Sequence, residues 1–355
     1  MAYESELALR LVPYTAGEQP RGMARLIKLN TNENPYPPSP AVEEALRGKA
    51  AELRLYPDME ATALREAIAR VNGVRPSQVF CGNGSDEVLA FAFAAFFAGK
   101  RLLAPDVTYS FYPVYSQLFH VDYQTVPLRE DFTVDTDALM QRCAVALANP
   151  NAPTGLMLPI GEVERLCAHA REHGQVLLVD EAYAAFAPEN ALPLLERYDN
   201  LLIVRTFSKS HALAGMRVGY AMGSERLMDA MRRVRDSFNS YPLDRLAQAA
   251  ATAAVLDTDY TARTVQQVVD ARERCRAALL AAGIEVLESS TNFLFVRADE
   301  EDASRVMAAL RGEGILVRHF TGGRLKAWLR VTVGTAEDME TVTEALIRHI
   351  RAGRG

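Results

Sequence analysis

Cysteine and tryptophan are scarce: the 355 residues hold four and one of them. Cys81, Cys143, Cys167 and Cys275 lie far apart and form no CxxC pair. That excludes a disulfide framework and a zinc site, and reads as reduced, mostly buried thiols in a reducing compartment. The six histidines show no metal-ligand spacing, so no metal is expected. Positive charge is not in excess either, with 39 Lys+Arg against 45 Asp+Glu and a net charge of −6. Without a long basic block, nothing supports a nucleic-acid or membrane-surface role. The most apolar stretch, residues 89–98 (LAFAFAAFFA), is about half the ~20 residues that cross a bilayer, and reads as a buried helix. Residues 1–10 alternate apolar and charged types without a signal-peptide core, so a cytoplasmic protein is expected.

What is present is an ordinary globular balance, 49% hydrophobic and 24% charged. The length exceeds the ~250–300 residues at which single cores stop growing, which predicts two domains. Residues 1–40 are rich in Pro and Asn, and LNTNENPYPPSP (29–40) cannot be helical. From residue 39 apolar strands alternate with amphipathic helices: helices at 60–72, 85–98, 110–119, 135–141 and 161–173, strands at 78–81, 101–104, 121–126, 143–148, 175–179 and 201–205. A chain-reversing segment follows at 217–222. This is the pattern of an α/β fold with a mostly parallel sheet covered by helices on both faces. Helical stretches at 224–237 and 244–282, short strands at 284–288, 293–297, 315–317 and 328–333, and a helix at 303–313 predict a smaller C-terminal α/β domain. The expected division is an arm (1–40), a large domain (41–243) and a small domain (244–355).

Ligands of open parallel sheets bind outside the carboxyl ends of the strands. Four segments follow predicted strands. Gly82-Asn83-Gly84-Ser85-Asp86-Glu87 leads into a helix whose first N–H groups suit an anion, although Ser85 as a plain N-cap accounts for it equally well. Asp180-Glu181-Ala182-Tyr183 sets a carboxylate among apolar residues, where it needs a partner or acts as a helix cap. Ser208-Lys209-Ser210-His211, with Arg217 eight residues on from Lys209, offers a lysine whose pKa burial and a neighbouring cation would lower, preparing it to form an imine. Asn149-Pro150-Asn151-Ala152-Pro153-Thr154-Gly155 is a rigid polar turn. One cofactor accounts for all four: pyridoxal 5'-phosphate has an aldehyde for Lys209, a ring nitrogen for Asp180, a phenolic oxygen for Tyr183, and a phosphate for Ser208, Arg217 and the Gly84–Asp86 turn.

These motifs, with Tyr56-Pro57-Asp58 and Leu329-Arg330-Val331-Thr332-Val333-Gly334-Thr335, resemble the fold-type I aminotransferases end to end. Within them the sequence is most similar to the histidinol-phosphate aminotransferase family. The resemblance implies a homodimer with shared sites, the arm packing on the small domain and on the partner subunit. It implies that Lys209 bonds to the cofactor and shuttles a proton, Asp180 pairs with the ring nitrogen and Tyr183 bonds the phenolic oxygen. Tyr109 would stack on the ring. Ser85, Asp86, Ser208 and Arg217 would hold the phosphate, and Tyr56 would reach the phosphate of the other subunit. Arg330 would receive the glutamate α-carboxylate, and Arg318 and Tyr14 the substrate phosphate. The implied reaction moves an amino group between glutamate and imidazole acetol phosphate, giving 2-oxoglutarate and histidinol phosphate. An aromatic-amino-acid aminotransferase and a threonine-phosphate decarboxylase-like lyase share nearly all these residues. One departure stands out: the family amide before Pro-Thr-Gly is Ala152 here, leaving Asn151 as its substitute.

Overall fold

The computed structural model describes residues 3–13, 18 and 26–353. Its strands are β1 (Ile27–Lys28), β2 (Val79–Asn83), β3 (Arg101–Pro105), β4 (Asp122–Val126), β5 (Ala144–Ala148), β6 (Leu177–Asp180), β7 (Leu201–Thr206), β8 (Val218–Gly223), β9 (Phe293–Arg297), β10 (Ile315–Leu316), β11 (Arg318–His319) and β12 (Trp328–Thr332). Seven of them form one sheet in the order β2-β8-β7-β6-β5-β3-β4. Strands β3 to β7 pair in parallel, and β8 runs antiparallel to both neighbours. The reversal has a consequence for position. The end of β2, the ends of β5, β6 and β7, and the start of β8 all meet at one rim.

The central strands are apolar on both faces because both faces are covered. Leu103, Val145, Leu147, Val179 and Ile203 enter one core, with Val163 and Leu166 of the helix Ile160–Glu172. Their alternates Leu102, Ala146, Leu178, Leu202 and Val204 enter the other, with Phe93, Phe97, Met228 and Met231. This alternation is the period-two geometry of a strand. A smaller antiparallel sheet, β11-β12-β9, builds a further core from Phe293, Leu294, Val296, Leu329 and Val331. The helices Thr258–Ala281, Ser304–Gly312 and Ala336–Arg351 contribute Val268, Val306 and Leu346 to it. The arm is stitched to this smaller unit: β1 pairs with β10, and the Leu29 carbonyl accepts from Thr332 N at 3.0 Å.

Several expectations need correction. The predicted helix 244–282 is two helices, Arg245–Leu256 and Thr258–Ala281, broken at Asp257, whose side chain caps the second through Tyr260 N. Ala247, Ala250, Ala251 and Ala254 of the first pack into the core of the large sheet. Residues 284–288 form no strand; only Val286 bridges to Val296. A short helix, Glu6–Arg10 capped by Ser5, stands in the arm. The helix Ala336–Arg351, opened by a reciprocal Thr335/Asp338 cap, is absent from the sequence reading. Arg232, Arg233 and Arg235 read as one solvated face, yet Arg235 is buried and bonded to Glu60 (2.5 Å) and Asp236 (2.7 Å). All four cysteines are free and buried. Among the described residues no helix is long and apolar enough to cross a membrane.

Candidate active site

At the rim where the strand ends meet lies a cavity of about 310 Å³. Eight residues singled out in the sequence line it: Ser85, Asp86, Tyr109, Asp180, Tyr183, Ser208, Lys209 and Arg217. Strand geometry puts them there. Asp180 is the last residue of β6, Ser208 and Lys209 follow β7, and Arg217 immediately precedes β8.

Lys209 donates from Nζ to the Thr31 carbonyl at 3.1 Å. Its pKa is pushed down to about 8, first by burial and then by the Arg330 charge. Arg217, the cation expected from the sequence, acts in the same direction but less. Arg217 Nη2 pairs with Asp86 Oδ2 at 2.8 Å, and Asp86 Oδ1 accepts from the Tyr109 hydroxyl at 2.7 Å. The Asp86 side chain therefore orients Arg217 and Tyr109 and does not cap the helix. That helix starts at Gly84, so Ser85 is inside its first turn and not its N-cap. Gly84 has φ +79°, and a Cβ there would sit 2.6 Å from Arg217 Nη2. Gly219 allows β8 to touch the helix start, since its Cβ would lie 2.3 Å from Ser85 N. The first-turn N–H groups have no acceptor within the helix and, with Ser208 and Arg217, form an anion cradle.

Asp180 is buried, with Oδ1 accepting from Ala182 N (3.2 Å) and Oδ2 from the Tyr112 hydroxyl (3.3 Å). Burial pushes its carboxyl up to about 7, against these two donors, and the charges of Asp86 and Glu181 add to the rise. Glu181, next to it, has its own counterion in Arg205 (2.8 Å). A cationic ring nitrogen placed against Asp180 would supply the counter-charge that the described residues do not.

Of the remaining candidate site residues, Asn151, Arg330, Arg318 and Tyr56 do not line this cavity. Asn151 does not replace the amide missing at Ala152: its Nδ2 is committed to the Val107 carbonyl and Thr154 Oγ1, both at 3.0 Å, while Ala152 lines the cavity. Arg330 is in mid-strand on β12, opposite Arg318 of β11, and donates to the Asn30 carbonyl at 3.0 Å. Arg318 lines a separate cavity with Asn30 and Arg311. Tyr56 is 78% exposed and stacks on Tyr241 with ring centroids 4.8 Å apart. Tyr14 lies outside the described residues. Three contributors had no role in the sequence reading. Thr31 and Glu33 line the cavity from the arm, and Tyr112 holds Asp180. The NTNEN run was the one visible signal for the first two.

A buried carboxylate awaiting a cation, a lysine primed to be neutral and an anion cradle share one cavity, and this set fits a pyridine aldehyde carrying a phosphate. The chain belongs to the aminotransferase class I and II family, whose profile matches residues 24–346. More particularly, it is 50% identical over 345 residues to the histidinol-phosphate aminotransferase of Gluconacetobacter diazotrophicus, covering 96% of each chain. It is 49% identical over 340 residues to that of Pseudomonas entomophila, covering 95% of this chain and 97% of the other. The solved histidinol-phosphate aminotransferase of Sinorhizobium meliloti, in complex with pyridoxal-5'-phosphate, superposes with a TM-score of 0.86 at 27% identity, covering 99% and 98% of the two chains.

Proposed function

We propose that this aminotransferase binds pyridoxal 5'-phosphate in the rim cavity and exchanges the amino group between glutamate and imidazole acetol phosphate, forming histidinol phosphate. The observation that carries the reading is the convergence of Lys209, Asp180 and the Gly84–Asp86 helix start on that cavity. The similarity to histidinol-phosphate aminotransferases over nearly the whole chain selects the substrate. Bound there, the cofactor supplies an electrophilic carbon and a sink for the electrons of a broken Cα–H bond. Lys209 would hold the cofactor through its amine and would carry the proton to and from the substrate Cα. Asp180 holds the ring nitrogen, Tyr183 the phenolic oxygen, and Tyr109 packs on the ring face. Ser85, Asp86 N–H, Ser208 and Arg217 receive the phosphate. Arg330 takes the glutamate carboxylate, and Arg318 with Tyr14 the phosphate of the second substrate.

The working unit in this reading is a homodimer. Leu53, Leu55, Tyr56 and Phe238 are all exposed, apolar side chains that a second copy would cover, and Tyr56 would reach the partner's cofactor phosphate. A solution mass near twice 39.1 kDa is expected from sedimentation. The four buried free thiols suit the cytoplasm.

Turnover with glutamate and imidazole acetol phosphate, set beside phenylpyruvate, tests the substrate. The phosphorylated acceptor should win, and Arg318→Ala should lower kcat/KM for it by about 10-fold or more, with little change for phenylpyruvate. Equal use of both acceptors would point to an aromatic aminotransferase, and release of carbon dioxide to a decarboxylase.

A further inference from the structure

Asn32 is 1% exposed and has a left-handed backbone, φ 56°, which asparagine adopts more readily than most residues. Its N–H donates to Thr332 Oγ1 at 3.0 Å. The threonine oxygen accepts there and donates its own proton to Asn32 Oδ1, also at 3.0 Å. With Oδ1 turned to Thr332, the amide nitrogen faces the Tyr183 hydroxyl at 2.8 Å. An amide NH2 can only donate, so the phenol oxygen accepts and its own proton points away from Asn32. The Asn32 carbonyl is fixed as well, accepting from Asn292 Nδ2 at 3.1 Å.

We propose that Asn32 is a positioning residue that makes Tyr183 a proton donor toward the cavity, and so toward the phenolic oxygen of the bound ring. The inference rests on the cofactor reading above. It also answers the departure at Ala152. That methyl cannot donate and Asn151 is committed elsewhere, so the arm acts on the same oxygen through Tyr183. The relay joins three parts of the chain, with Asn32 in the arm, Tyr183 after β6, and Thr332 and Asn292 in the small unit.

The test is a pH titration of the visible absorbance of the protein loaded with pyridoxal phosphate. A donor to the ring oxygen stabilises its negative charge most once the lysine–cofactor linkage has lost its proton, and so lowers the midpoint. Asn32→Gly keeps the backbone geometry and removes the amide. It should raise the midpoint by about 0.7 pH unit, the equivalent of one neutral hydrogen bond. In a Tyr183→Phe background the same substitution should move it by less than about 0.2 pH unit. Thr332→Val, which unlocks the amide without touching Tyr183, should shift it the same way by a smaller amount, and serves if the glycine variant does not fold. An unchanged midpoint in the single variants, or an equal shift with and without the Tyr183 hydroxyl, overturns the inference. Failure of the wild-type protein to develop the band would instead overturn the cofactor reading.

Discussion

Replacing Asp180 with asparagine should make the cofactor-free protein more stable at neutral and alkaline pH. The carboxyl sits at the end of β6 with two donors and no cation, and burial moves it from the ordinary 3.8 to about 7. That gap converts to about 4 kcal/mol at 1.36 kcal/mol per pH unit. Relaxation around the charge makes this an upper value, so about 2–4 kcal/mol is expected. Asparagine can keep both contacts, with its oxygen accepting from Ala182 N and its NH2 donating to the Tyr112 oxygen. The sign fixes the pH window. Because the folded pKa lies above the unfolded one, the penalty is absent below about pH 4, grows between 4 and 7, and is complete above 7. Urea unfolding of the cofactor-free wild type and Asp180→Asn at pH 4.5, 6 and 8 would measure it, provided the denaturant slopes agree. The gain should be largest at pH 8 and about a quarter of that at 4.5. Cofactor affinity of the same variant should fall by about 10- to 100-fold, the worth of a charge-assisted hydrogen bond. A gain that is equal at all three pH values, or absent at pH 8, would refute the assignment of Asp180 as a buried, unanswered charge.

Two further outcomes follow from the site. The rate at which the cofactor-free protein captures pyridoxal phosphate should rise with pH to a midpoint near 8, where Lys209 becomes neutral. Arg330→Ala should move that midpoint upward by removing a neighbouring positive charge; stopped-flow absorbance reads both, and an unmoved midpoint would exclude Arg330 as the cause. Gly219→Ala should cost about 3 kcal/mol or more, because its methyl would fall 2.3 Å from Ser85 N and 2.4 Å from Gly84 C. Thermal unfolding would show this, and a variant of native stability would mean that β8 and the helix start are not held in contact.

The large sheet was legible because its strands are short apolar runs ending in polar residues, and the polar ends are what the cavity uses. Asp180, Lys209 and Arg217 could be found from their place at the end of β6, after β7 and before β8. Other features left no local trace. Tyr112 reaches Asp180 across 68 positions and Asn32 reaches Tyr183 across 151, distances at which no periodicity speaks. Arg235 looked like a solvated charge because its counterion, Glu60, lies 175 positions away. Asn151 misled for the opposite reason: an amide one residue from the right place looked able to substitute, but Val107 and Thr154 already occupy its donors. The break at Asp257 was readable as a cap, yet two helices in direct succession masked it.

Arg330 and Lys209 interact electrostatically, yet they are carried by different sheets, β12 in the small unit and the end of β7 in the large one. Coulomb energy falls with separation, so the lysine's basicity is a gauge of how the two bodies are docked. A separation that carried Arg330 away would remove the second cause of the lowered pKa, after burial, and leave the amine less nucleophilic at neutral pH. Any such parting of β12 from the end of β7 would then quiet the chemistry at residue 209.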